Sequence, residues 1–181
     1  MTLVDMPGPV TDARAHALRE RYHRLYKAEE LPVPVESIAE DLLGLHVEES
    51  WQIDCSGMLV PAERRILLNA TERVGAENDP PLRRFRFTIA HEIGHWICHC
   101  VGVPEPAVSY CRPVDLSDAA DRTLEREANV FAAELLMPEP AVRTAWEDLG
   151  DPTACAARFD ASPSAMHWRL YSFGFIRERP T

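Results

Sequence analysis

Residues 87–100 read FTIAHEIGHWICHC, and these fourteen positions hold three histidines, two cysteines and one glutamate. Whether the stretch carries one metal site, two or none decides what the rest of the chain is built around. Phe85, Ile89, Ile93 and Ile97 recur every fourth residue, the pattern of a helix buried along one side. On that helix His91 and His95 stand four apart, so both imidazoles leave one face and converge on a single ion. Glu92 follows His91 and can approach a water held by that ion, which completes an H-E-x-x-H arrangement. Ala90 and Gly94 beside the histidines leave room for close backbone approach. The bland alternative is an amphipathic helix whose polar residues face water.

His99 is eight residues from His91, about 12 Å along a helix axis at 1.5 Å per residue. One zinc with bonds of about 2.1 Å does not span that distance easily, so His99 is a candidate to support a ligand rather than to be one. Cys98, Cys100 and Cys111 suggest a second, softer metal site; inert thiols are the preferred reading. The third ligand is therefore sought on the next long helix, SDAADRTLEREANVFAAELL, which ends at Met137 before Pro138.

That helix offers Glu125, Glu127 and Glu134. At roughly 100° per residue, Asn129, Ala132 and Leu136 fall within about 40° of Glu125, whereas Glu127 and Glu134 fall near 180–200°. The Glu125 face borders the apolar stripe of Leu124, Ala128, Phe131 and Leu135. Glu127 and Glu134 read as a solvated face, the ordinary place for glutamates. Glu125 is thus the expected ligand, and Asn129, one turn on, is placed to hydrogen-bond a ligand.

The surrounding sequence is that of a globular protein, with 181 residues, 46% hydrophobic and 27% charged. A net charge of −10 argues against a nucleic-acid binder, which normally presents a basic face. No run approaches the ~18 apolar residues of a membrane span, and the N-terminus lacks a signal-like apolar run, so a cytoplasmic protein is expected. Five cysteines at irregular spacing do not form a disulfide framework, and reduced thiols are expected.

Helices are expected in TDARAHALRERYHRLYKAEE and, closed by Gly44, in VESIAEDLL. The span HVEESWQIDCSGMLVPAERRILLNA reads as β structure, in which GMLV and RILLN flank PAER, a hairpin turn with proline at its start. Asn78 or Asp79 is expected to cap the metal-site helix, with Pro80 in its first turn. Three shorter helices follow Pro138, and the last pair, joined by DAS, has a helix-turn-helix outline. The fold class is therefore α+β: mainly helical, with a small, mostly antiparallel sheet. Residues 1–138 carry the N-terminal helix, the sheet and both metal-site helices; residues 139–181 form a C-terminal helical extension packed on them.

RRFRFTIAHEIGHWICH followed by EREANVFAAELLMPEP resembles the ImmA/IrrE family of metallopeptidases. The resemblance extends from VPVESIAEDLLGLHV through GMLVPAERRILLNAT to ARFDASPSAMHWRLYSFGFI, which is most of the chain. It implies a zincin-like core with one catalytic zinc held by His91, His95 and Glu125, with Glu92 catalytic; Glu127, in the same motif, is the fallback ligand. It also implies a protein substrate, a helix-turn-helix (XRE-like) transcriptional repressor whose cleavage switches on a stress response or mobile-element transfer. His99, Tyr110 and Tyr171 are the candidates to stabilise the oxyanion of such a reaction, with no ranking among them.

Three rival readings accompany this one. A zinc-stabilised module could sequester a repressor without cutting it. The tail helices could read DNA, but they offer only Arg158 and Arg169, and a packing role for Phe159, Met166, Leu170 and Phe173 is preferred. Cys55 could occupy the open metal position as an inhibitory thiolate, although a buried inert cysteine is the simpler expectation.

Overall fold

The computed structural model describes residues 12–27, 31–73, 81–102, 110–111 and 119–180. The chain gathers into two compact units, one of residues 34–129 and one that joins 1–33 to 130–181.

In the 34–129 unit, α2 (Val35–Ser37) widens directly into a π-helical turn, Ile38–Leu42, and closes at Gly44, whose φ of 63° suits glycine. Strands β1 (His46–Ser50), β2 (Gly57–Val60), β3 (Arg65–Asn69) and β4 (Tyr110–Cys111) form one sheet in the order β1-β3-β2-β4. β2 and β3 are the expected hairpin, with Val60 opposite Arg65 and Gly57 opposite Leu68. Pro61 opens a short 3₁₀ turn between them, and Arg64 ends it in the left-handed region. Two of the three pairings are antiparallel, as expected, while β1 runs parallel to β3 and makes the sheet mixed. The reason is topological: the β1–β2 connection passes over β3's position, so β1 joins the far side of the hairpin.

Helix α3 (Pro81–His95) lies against β2 and β3, and Ile89 and Ile93 join Leu59, Ile66 and Leu68 in a buried core. Phe85 is buried as its stripe requires, whereas Ile97 is only half-buried. The expected caps Asn78, Asp79 and Pro80 lie outside the described residues. After His95 the helix widens into a π-helical turn, Trp96–Cys100, where the Val101 amide donates to the Trp96 carbonyl.

Helix α4 (Ala119–Leu136) begins in this unit and ends in the other. The second unit contains α1 (Ala13–Tyr26), α5 (Glu139–Leu149), α6 (Pro152–Phe159) and α7 (Pro163–Ser172). Its helix ends follow elementary capping: the Asp12, Asp151 and Ser162 side chains accept amide hydrogen bonds at the starts of α1, α6 and α7. Phe131, Leu135, Val142, Phe159, Met166 and Leu170 are fully buried. Phe159, Met166 and Leu170 therefore do the expected packing, while Phe173 is half-buried with Arg169 over its ring.

Glu134 is not on a solvated face. Its carboxylate pairs with the guanidinium of Arg169, and the side chains are 6% and 1% exposed. Arg169 also donates to the Met137 carbonyl, and Arg19 to the Glu134 carbonyl. Angular projection put Glu134 away from Glu125 correctly but could not show that α7 packs there.

Candidate metal centre

Helix α3 brings His91 and His95 to one face because they are one turn apart, and Glu125 of α4 meets them. All three are buried, at 4%, 2% and 6% exposure, and each offers a ligand atom within 4.8 Å of the others. His91 Nε2 lies 3.3 Å from one Glu125 oxygen, His95 Nε2 3.1 Å from the other, and the two Nε2 atoms are 3.1 Å apart. Two ligands each about 2.1 Å from a tetrahedral ion stand about 3.4 Å apart, so this donor set has nearly the spacing that zinc requires.

Two further observations fit a cation. Among the described residues, the buried Glu125 Oε2 and His91 Nδ1 make no hydrogen bond, and such atoms are rare without an ion or water to satisfy them. Burial pushes the Glu125 carboxyl up, but the imidazoles of His91 and His95 outweigh it and hold the group well below the usual carboxylate range. Burial, with the neighbouring His91, pulls His95 below its ordinary value despite Glu125. An anionic carboxylate and a neutral imidazole are the forms that ligate.

Glu92 is 2% exposed on the same helix. It faces the start of β2: a Cβ built on Gly57 would sit 2.2 Å from Thr88 Cγ2 and 3.2 Å from Glu92 Oε1. Only glycine lets the strand approach α3 so closely. The loop before Gly57 is pinned by Asn69, whose side-chain amide donates to the Ile53 carbonyl and whose backbone amide donates to the Ser56 carbonyl. Sequence reasoning passed over Gly57, although a glycine at the head of an otherwise β-branched and aliphatic run is the signal of a close backbone approach.

Of the other candidates, His99 does reach a ligand: its Nδ1 is 3.1 Å from His95 Nδ1. Its Nε2 is 3.2 Å from Glu127 Oε2, so Glu127 is engaged rather than simply solvated, with its side chain 45% exposed. Glu127 is not part of the three-residue cluster. Asn129 is buried, but no hydrogen bond joins it to a ligand among the described residues. The Tyr110 backbone pairs with Leu59, and its side chain lies outside what is described. Tyr171 belongs to α7, where its ring meets Trp168 edge-on.

The cysteines depart from the all-thiol expectation. Cys55 is disulfide-bonded, while Cys98, Cys100 and Cys155 are in no disulfide. An odd count at irregular spacing excludes a framework but not a single bridge. A sulfur in a disulfide has no thiolate to offer a metal, which removes the inhibitory role considered for Cys55.

No described helix is long and apolar enough to cross a membrane. A search of curated proteins finds no match to the chain. A family model, Peptidase_M78, described as the IrrE N-terminal-like domain, matches residues 58–171, which include β2 from Met58 onward, β3 and His91, Glu92, His95 and Glu125. With more than half of its length matched and the His91–His95–Glu125 cluster assembled, the chain belongs to this metallopeptidase-type family.

Proposed function

We propose that the protein is a zinc-dependent endopeptidase whose substrate is a helix-turn-helix transcriptional repressor. The observation that carries the catalytic part is the buried His91, His95 and Glu125 cluster with Glu92 beside it on α3. Three protein ligands leave a position open, the mark of a catalytic rather than a structural zinc. Zinc bound there supplies Lewis-acid polarisation of a carbonyl and a lowered pKa for water.

The chain's own residues do the rest. Glu92 takes the proton of the attacking water and returns it to the leaving amine, so it acts as base and then acid. Gly57 lets the strand carrying it close over Glu92, which limits where that carboxylate can point. The repressor substrate is supported by the family resemblance of the two helical motifs, and with it a role in stress-responsive transcription. Arg169, one of the two arginines available for DNA reading in the tail helices, is buried against Glu134, which favours a protein rather than a nucleic acid as partner.

The test is incubation of the zinc-loaded protein with a helix-turn-helix repressor, the first choice being any such regulator found encoded beside it. Metal-dependent appearance of a shortened product, absent with Glu92→Gln although that variant retains zinc, supports the reading. Full proteolysis by Glu92→Gln would sink it. A stable complex with no product would instead favour the sequestering module.

A further inference from the structure

The two imidazoles of the metal centre are held unequally. His91 Nδ1 makes no hydrogen bond among the described residues. His95 Nδ1 is 3.1 Å from His99 Nδ1, and His99 Nε2 is 3.2 Å from Glu127 Oε2. The His95 and His99 rings are tilted by 53° with centroids 5.2 Å apart, so they meet through their nitrogens rather than by stacking. His99 stands on the π-helical turn that begins directly after His95.

The protons in this row have one consistent arrangement. His95 turns Nε2 towards Glu125, where it would hold an ion, so its Nδ1 would carry the hydrogen and donate it. His99 must then accept at Nδ1, which places its own hydrogen on Nε2, pointing at the Glu127 carboxylate. Each group fixes the tautomer of the one before it. The row starts at a 2%-exposed side chain and ends at one that is 45% exposed.

We propose that His99 and Glu127 are positioning residues forming a relay that fixes the ring of His95 and strengthens its hold on the metal. A ligating histidine commonly donates its second N–H to a carboxylate directly, which orients the ring and raises its basicity. Here a second histidine is interposed, and Glu127 supplies the negative charge from the surface. The proposal rests on the reading of His91, His95 and Glu125 as a zinc site, but it needs no peptidase activity.

The experiment uses the full chain, stripped of metal and titrated with zinc against a chromophoric chelator, and in parallel loaded with cobalt(II) for visible spectroscopy. Glu127→Ala and His99→Phe should each weaken zinc binding about 10–100-fold. The double variant should bind no worse than His99→Phe alone, because the carboxylate acts only through the imidazole. Glu127→Gln, which keeps an acceptor but loses the charge, should recover only part of the affinity. The cobalt spectrum should shift in Glu127→Ala while the melting temperature of the metal-free protein does not. Zinc affinity within twofold of wild type in Glu127→Ala with an unchanged cobalt spectrum would overturn the relay, as would losses that multiply in the double variant. His91→Ala separates the two levels: if it binds zinc as wild type does, the metal-site reading itself has failed.

Discussion

Gly57 and Glu92 stand so close that the smallest side chain at position 57 would press on the carboxylate, with its Cβ 3.2 Å from Glu92 Oε1 and 2.2 Å from Thr88 Cγ2. Thr88 stands one helical turn before Glu92 on α3, so any recoil there moves the backbone that aims the carboxylate. Gly57→Ala should therefore retain zinc yet lower kcat, on the order of 10²-fold if Glu92 moves by about 1 Å. Adding Thr88→Ser removes the methyl that clashes most and should restore part of the rate. Steady-state cleavage beside zinc analysis checks both; a fully active Gly57→Ala refutes the packing argument.

Glu134 and Arg169 make the second prediction. Their ion pair is buried, so removing one partner leaves a charge without water or counterion. Arg169→Met or Glu134→Gln should each cost about 3–5 kcal/mol in urea unfolding, whereas replacing both with apolar residues should cost less than the sum. Additive losses would mean that the two do not act as a pair.

Asp12 sets a pH dependence whose sign can be worked out. Burial raises its carboxyl, but hydrogen bonds from the Arg14 side chain and from the Arg14 and Ala15 amides outweigh that and leave it below its ordinary 3.8. A carboxyl depressed in the folded state contributes stability that is full above its unfolded value and fades as pH falls through the folded one. Thermal melts from pH 6 to pH 2 should show wild type losing its advantage over Asp12→Asn below about pH 4. An advantage that grows on acidification would contradict the cap geometry.

Metal removal gives the fourth. Ligands that bind only the folded state stabilise it by about 2.7–4.1 kcal/mol at 100 to 1,000 times their Kd. Chelation should lower the melting temperature, one equivalent of zinc should restore it, and Glu125→Ala should respond to neither.

The metal centre was legible where its spacing is local. His91, Glu92 and His95 lie within a single helical turn, and the 100° projection of α4 separated Glu125 from its two neighbours. The same projection failed to foresee the partners of Glu127 and Glu134. A helical wheel says which way a residue faces, while Arg169 and His99 come from 35 residues downstream and 28 upstream. The turn Trp96–Cys100 left no local signal either, since π-helical widening depends on packing around the helix. Turn chemistry, by contrast, was plain: Pro61 and Gly44 sit where their backbones demand.

The sheet's register sets an order of assembly. Hairpin partners Val60 and Arg65 are near neighbours in sequence, whereas His46 in β1 pairs with Arg65 across a much longer loop. Closing the longer loop costs more chain entropy and is repaid only after β3 exists as a template. The hairpin should therefore form first, with α3 docking on it, and β1 should add after it. Substitutions in Leu59 or Ile66 should slow refolding, while those in Val47 should mainly speed unfolding. The metal-site helix would then rest on the part of the sheet that forms earliest, and β1 should open before that hairpin does.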